Sequence, residues 1–435
     1  MQRYDTYKDS CVKWLGEIPS HWEVISTKYI AELYTGNSLN DASKEKYSLF
    51  SDDSYPYIAS KDISLGTGTV DYDNGLYIPK DESFFEIAPK NSFLLCIEGG
   101  SAGRKKAFLD RNCCFVNKLC CFDSVLNPKY HYYFIQGDYF RTMFNCSLQG
   151  MIGGVSVSSL KNFYTIVPPL EEQTAIASYL DTATAKIDAA IAQQQKMIDL
   201  LNERKQIIIN RAVTRGLNPN ARMKDSGVEW IGEVPEGWEV RRLKHLLKAS
   251  LMYGANESAE SEDESYPRYI RITDIDEDGK LRPDTFRSLP PKKAEPYLLK
   301  KGDLLFARSG ATAGKTYLFN EDIKACFAGY LIKASLREPL LPEYLDYYTR
   351  SGIYDNWKKS IFIQATIPNI GAEKYANLQI TLPSIKEQKD IVKHLDVETG
   401  KINQVVRNCK NQISLLQERK QIIINEVVTG KVKVI

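Results

Sequence analysis

The segment "LNERKQIIIN", Leu201 to Asn210, returns almost unchanged as "LQERKQIIIN", Leu416 to Asn425, 215 residues later. A block of that length recurring in a chain of 435 residues makes duplication the first thing to test. A second pair supports it. "KDSCVKWLGEIPSHWEV" from Lys8 is matched by "KDSGVEWIGEVPEGWEV" from Lys224, with 11 of 17 positions identical. Both tryptophans are kept, Trp14 and Trp22 against Trp230 and Trp238, at an offset of 216. Between these anchors the copies drift but keep their order. "YPYIASKDI" from Tyr55 parallels "YPRYIRITDI" from Tyr266, and "LLCIEGGSAGRKKAF" from Leu94 parallels "LLFARSGATAGKTYLF" from Leu304. Gln149 and Gln364 each stand 24 residues before a second glutamine, Gln173 and Gln388. Like ends enclose unlike middles, so the ends do one job twice and the middles do two different jobs.

The repeated block lies in a run built for helix. From Leu170 to Arg215 there is neither glycine nor proline, directly after Pro168–Pro169. Leu180, Ile187, Leu201 and Ile208 fall at multiples of seven, with Ile191 and Ile198 in the alternate positions. The second copy, Ser384 to Thr429, places Leu395, Ile402, Leu416 and Ile423 in one register and Val406 and Ile413 in the other, with only Gly400 interrupting. Each is an a/d seam. About 44 residues at 1.5 Å rise give roughly 65 Å of helix, too long to bury its stripe alone. The simplest cover is the other copy, set antiparallel about a pseudo-two-fold axis. Gln194 and Lys205, matched by Cys409 and Lys420, interrupt the seam where a polar residue can fix register. The "ERK" triplets, Glu203–Lys205 and Glu418–Lys420, are expected on solvated faces. The expected fold is α/β (mixed α+β): globular domains at 1–168 and 223–382, separated by two long antiparallel coiled-coil helices at 169–222 and 383–435, in a pseudo-two-fold internal repeat.

Composition narrows the function. Hydrophobic residues are 43% and charged ones 26%, ordinary for a globular protein, and the net charge of +2 supplies no global basic field. Any nucleic-acid contact must come from local patches. The start lacks a signal-peptide core, no apolar run reaches a membrane span of roughly 18 residues, and nine cysteines sit irregularly. A reducing cytoplasm is expected. "CCFVNKLCC", Cys113 to Cys121, does not have C-x-x-C spacing and only His131 lies near it, so buried small side chains are expected there rather than zinc.

"SGATAGKT", Ser309 to Thr316, is one residue away from the phosphate loop G-x-x-x-x-G-K-[ST]. The first copy reads "GGSAGRK". A nucleotide site would not lose its lysine–hydroxyl pair in one copy and its leading glycine in the other. What the copies share is a strand, a glycine turn and a basic residue, which fits a plain hairpin turn or a loop that contacts DNA. The candidate DNA contacts are Lys61, Arg104, Lys105, Lys106 and Gln149 in the first half, and Arg271, Arg308, Ser309, Lys315 and Gln364 in the second. Arginine suits guanine and glutamine suits adenine. The acidic "ESAESEDES", Glu257 to Ser265, is expected to face solvent, because phosphate repels it. Chemistry is harder to find. No [DNS]-P-P-[YFW] motif occurs. The E-x-K at Glu387–Gln388–Lys389 becomes Glu172–Gln173–Thr174 in the other copy, and the four histidines (His21, His131, His245, His394) are scattered. No catalytic, metal or cofactor site is expected in this chain.

Together "KDSGVEWIGEVPEGWEV", "GDLLFARSGATAGKT" (Gly302 to Thr316), "VPPLEEQTAIASYLD" (Val167 to Asp181), "LPSIKEQKDIVKHLD" (Leu382 to Asp396) and the two "ERKQIIIN" blocks span nearly the whole chain. The sequence resembles the DNA specificity subunits of Type I restriction–modification enzymes. The resemblance implies two target-recognition domains, each reading one half of a split, asymmetric site in double-stranded DNA. It implies helices that act as spacer and as docking surface for two methyltransferase subunits, joined by restriction motor–nuclease subunits. S-adenosylmethionine, ATP and magnesium would then serve the partner subunits, with no membrane involved. The first copy's "CIEGGSAGRK" departs from the pattern by lacking the arginine–serine pair of Arg308–Ser309, with Arg104 the nearest substitute. The alternative is a coiled-coil scaffold for other proteins, with no DNA readout of its own.

Overall fold

The computed structural model describes residues 2–12, 15–149, 153–258, 260–276, 279–362 and 368–434, so Trp14 and Gln364 lie outside the described residues. Contacts divide the chain into two units, Met1–Gln195 with Lys410–Ile435, and Lys196–Cys409. Both cuts fall inside long helices. Each unit is therefore one globular middle together with a stretch of each helix.

In the first unit the main elements are β1 (Glu23–Ser26), β2 (Ala31–Thr35), β3 (Ser54–Ile58), β4 (Phe93–Cys96), β5 (Lys106–Phe108), β6 (Cys113–Phe115) and β7 (Leu119–Ser124). Helices α1 (Pro128–Phe134) and α2 (Asp138–Cys146) follow, and β8 (Tyr164–Val167) leads into α3 (Leu170–Arg215). The second unit repeats this order with β9 (Glu239–Arg242), β10 (Met252–Tyr253), β11 (Arg268–Ile270), β12 (Asp303–Ala307), β13 (Thr316–Phe319), β14 (Ala325–Phe327) and β15 (Leu331–Ala334). Then come α4 (Pro342–Tyr348), α5 (Gly352–Phe362), β16 (Gln379–Leu382) and α6 (Ile385–Val428). Each unit holds an antiparallel sheet of the same order, β2-β7-β4-β5 and β10-β15-β12-β13. Each has one parallel pair, β3 with β6 and β11 with β14. Each closes its middle with an antiparallel pair, β1 with β8 and β9 with β16.

The long helices start where sequence stops forbidding them. Pro168–Pro169 precede α3, Glu171 and Glu172 favour its N-terminal dipole, and Gly216 ends it with φ of +69°. In the first unit the seam partners of α3 are drawn from α6: Ile176 and Leu180 share a core with Ile424, Val427 and Val428. In the second unit Ile209, Ala212 and Val213 of α3 share a core with Ile391 and Leu395 of α6. Polar contacts fix the direction. Lys420 donates to both carboxylate oxygens of Asp188 at 2.8 and 2.7 Å within the first unit, and Lys205 donates to Asn403 at 3.0 Å within the second. As the number rises on one helix it falls on the other by the same amount, which is antiparallel pairing. Lys205 and Lys420 are thus drawn into the seam, and the expectation of solvated triplets holds only for Glu203, Arg204, Glu418 and Arg419, which are exposed. A lysine stem packs along an apolar seam while its head reaches a partner across it.

The strand register corrects the letter-by-letter match of the two glycine segments. Cys96 pairs with Leu119, and Ala307 pairs with Leu331, so Cys96 corresponds to Ala307 rather than to Phe306. Repeated leucines allow either reading, but a slip of one residue turns a strand's side chains to the opposite face. Leu94 and Leu305 face equivalent cores, with Ile58, Phe115 and Leu119 in one unit and Ile270, Phe327 and Leu331 in the other. The same alternation explains the cysteine run. Cys120 faces the core of Phe93 and Phe122, while Cys121 faces that of Leu94 and Cys96. Burial pushes the Cys114 thiol up to about 12 and that of Cys121 to about 11.

Candidate nucleic-acid interface

The repeated ends hold each middle onto the helices through matched side chains. Trp22 and Trp238 each donate an indole N–H to a glutamate in the first turn of a long helix, Glu172 and Glu387, both at 3.0 Å. Burial pushes the Glu172 carboxyl up, but hydrogen bonds from His21, Trp22 and Tyr4 outweigh it and hold the group below its ordinary value. The next residues, Gln173 and Gln388, are buried and accept from the loop N–H groups of Asn127 and Leu341, at 2.8 and 2.9 Å. Tyr133 and Tyr347 donate to Asp181 and Asp396 at 2.8 and 2.7 Å. Asn425 of α6 accepts from the first N–H of α2, and Asn210 of α3 accepts from the first N–H of α5. The E-x-K-like segment at Glu387 is therefore engaged in packing. The asparagines that close both "ERKQIIIN" blocks serve as helix caps supplied from a neighbouring helix.

The predicted contact residues fall into three settings. Arg271 is tied down: its guanidinium takes Asp274 at 3.1 and 2.7 Å and also reaches the carbonyl of Thr285 at 3.1 Å. Lys105 and Lys315 occupy equivalent places, since Cys96 N–H donates to the Lys105 carbonyl and Ala307 N–H to that of Lys315. Each ammonium donates to a carbonyl near the following corner, Lys105 to Ser60 at 2.7 Å and Lys315 to Ile275 at 3.0 Å. Arg104 is an extra residue in the first turn, with no counterpart in the second. It lines a cleft of about 580 Å³ with Lys106, Arg141 and Gly103. Lys106 donates to Ile135 at 3.1 Å, and burial, with Arg141 adding to it, pulls its ammonium down to about 8. Lys315 lines the corresponding cleft, about 520 Å³, with Lys205, Arg350 and Lys358.

The remaining candidates are more open. Lys61 is exposed on a single helical turn, Ser60–Asp62, and Gln149 is exposed while its backbone pairs with Gly154. Arg308 lies over the ring of Tyr253 at 5.1 Å, and Ser309 borders a hollow of about 400 Å³ with Arg271, Thr273, Asn256 and Tyr330. The register leaves buried Ile97 at the Arg308 position and exposed Glu98 at the Ser309 position. Gln364 lies outside the described residues. The exposed "ESAESEDES" residues include Glu257, Glu260, Glu262 and Glu264, while Ala259 also lies outside the described residues. Two further exposed side chains at these corners, Tyr330 and Lys118, are not among the sequence candidates. Both follow a turn residue and precede a buried strand, and Tyr330 is 69% exposed where a strand pattern suggests burial. Among the described residues, no three His, Cys, Asp or Glu side chains group closely enough to hold a metal ion, and no helix is long and apolar enough to cross a membrane.

Residues 19–198 and 235–414 each match the family of the Type I restriction modification DNA specificity domain, at the same offset of 216 seen in the tryptophan segments. The chain belongs to this family. It is 25% identical over 435 residues to the Type I restriction enzyme MjaVIII specificity subunit of Methanocaldococcus jannaschii, covering 96% of this chain and 94% of that one. It is 21% identical to the Type I restriction enzyme EcoKI specificity subunit of Escherichia coli K12, covering 96% and 90%. A chain solved in work on complex assembly and conformational transition of the type I R-M system shares the fold, with a TM-score of 0.69 at 14% identity over 95% of this chain and 99% of that one. Each matched segment contains its own tryptophan–glutamate, glutamine and tyrosine–aspartate fastenings, whereas each asparagine cap comes from the long helix of the other repeat.

Proposed function

We propose that this chain is the DNA-reading subunit of a Type I restriction–modification complex. Each globular middle reads one half of a bipartite site in double-stranded DNA. The site is asymmetric because the two middles expose different side chains. Two methyltransferase subunits and restriction motor–nuclease subunits carry the chemistry, using S-adenosylmethionine for adenine methylation, and ATP with magnesium for translocation and cleavage. This chain contributes recognition without catalysis, in the cytoplasm where DNA is accessible. The gap between half-sites is set by helix length rather than by the middles.

One observation carries the reading. The tryptophan–glutamate, glutamine, tyrosine–aspartate and asparagine fastenings of middle to helix recur in both copies, whereas the side chains exposed at the turns differ. Phosphate contacts would position each middle, with base edges read by the exposed turns. The cationic cleft of Arg104, Lys106 and Arg141 suits the first task. The decisive measurement is methylome sequencing of cells carrying the partner subunits, with and without this gene. A split, non-palindromic adenine motif that appears only with the gene is expected. No motif, together with unaltered methyltransferase binding, would favour a scaffold that reads no DNA.

A further inference from the structure

At one end of each sheet, four stretches of chain meet, held by hydrogen bonds of the backbone that are the same in both units. Asn37 N–H donates to the Phe115 carbonyl and Ala255 N–H to that of Phe327, both at 2.9 Å. Val116 N–H donates to Ile58 at 2.9 Å and Ala328 N–H to Ile270 at 3.0 Å. Ile97 N–H donates to the Lys118 carbonyl at 2.9 Å and Arg308 N–H to that of Tyr330 at 2.8 Å. The N–H groups of Ala59 and Arg271 each donate to a buried aspartate, Asp62 and Asp274, at 2.8 Å. The chain approaches so closely that a Cβ on Gly36 would stand 1.8 Å from the Phe115 oxygen, and one on Gly254 would stand 2.3 Å from that of Ala328. Both places therefore keep glycine.

A corner held by its backbone leaves its side chains free to change without loss of the fold. They have changed: Ala59 against Arg271, Glu98 against Ser309, Asn117 against Gly329, and Lys118 against Tyr330. The tryptophan–glutamate, glutamine, tyrosine–aspartate and asparagine fastenings to the helices, which work through side chains, stayed the same. Tyr330 is the sharpest case. It is 69% exposed, it adds nothing to a buried core, and it borders the hollow shared with Ser309 and Arg271. An aromatic ring held in water offers apolar surface and one hydroxyl to whatever docks there. Lys118, exposed at the equivalent place, offers donors only.

We propose that the residue just before β7 and β15 is a base-reading position, Lys118 for one half-site and Tyr330 for the other. The assignment rests on the DNA-reading role proposed above. The Lys118 ammonium matches the acceptor edge of guanine, and the Tyr330 ring matches the methyl group of thymine. The hollow beside Tyr330 gives that base edge further partners in Ser309 and Asn256.

The test uses the full chain with its methyltransferase subunits, reading the methylation motif genome-wide. Tyr330→Ala relaxes base preference at one position of one half-site, roughly 10-fold or more, and leaves the other half unchanged. Lys118→Ala does the reverse. Tyr330→Lys moves the preferred base in its half-site towards guanine. The unaltered half is an internal control for folding, and a melting curve matching the wild type adds a second. Wild-type motifs from all three variants overturn the proposal while leaving the parent reading intact. Loss of methylation at both halves, with a lowered melting temperature, also overturns it by making the turn structural. A wild-type chain that directs no split motif defeats the parent reading instead, and this assignment with it.

Discussion

At the scale of single residues, the molecule separates side chains that fasten from side chains that face outward. Asn210 is a fastener, accepting the first N–H of α5. Asn210→Ala should lower unfolding free energy by about 1–2 kcal/mol, whereas Asn210→Asp, which keeps an acceptor at a helix N-terminus, should stay near wild type in urea melts. His131 is fastened by burial. It lies edge-on to Phe93 and Phe122, and burial pulls its imidazole down to about 3, far below the ordinary value of 6.5. Its folded form therefore stays neutral at pH values where the unfolded form takes up a proton. The stability it contributes is complete above pH 6.5 and is lost as pH falls towards 3. Between pH 7 and 5 the wild type should lose ~2 kcal/mol more than His131→Phe, measured by denaturant melts at both pH values.

At the scale of elements, the two long helices are specified twice over. The apolar seam supplies the attraction, and Lys205 and Lys420 supply the register by reaching Asn403 and Asp188. Asp188 keeps a 42% exposed side chain, so removing its lysine leaves a carboxylate that water can still solvate. Replacing both lysines by leucine should change unfolding free energy by no more than about 1 kcal/mol in either direction. It should, however, relax the choice of register, visible as added oligomers in light scattering after size exclusion. A sole monomeric species from the double variant would show that the apolar seam alone fixes the pairing. The strands show the complementary lesson. Their order repeats faithfully in both units because it depends on apolar alternation, while the exposed side chains of their turns diverge because backbone hydrogen bonds and a few buried side chains hold the turns.

At the scale of the whole molecule, the duplicated family domain gives a chain with one kind of frame and two kinds of surface. If helix length spaces the half-sites, adding one helical turn after Gln194, ~5.4 Å, should widen the methylated motif's gap by one or two base pairs, with both half-sites unchanged. An unaltered gap would remove the ruler and leave the reading surfaces standing. A changed half-site would locate sequence recognition partly in the helix.

Much of this architecture was legible in the letters. Duplication, the heptads, and the strand–turn–strand units come from local periodicity and identity, which a chain carries without reference to its fold. The seam residues Leu180, Ile187 and Leu395 are buried for the reason their spacing gives. Other features needed the third dimension. The alignment of Leu94 with Leu305 depends on which face of a sheet is buried, and repeated leucines cannot encode that choice. The inward turn of Lys205 depends on a partner nearly 200 residues away. Whether a basic side chain is tied to an aspartate, as in Arg271, or held out in water, as in Lys118, is set by neighbours brought close only on folding. Sequence alone determined that there is one frame, used twice. Tertiary structure decided which side chains the frame consumes and which it leaves to meet a partner, because burial and hydrogen bonding are properties of the assembled neighbourhood.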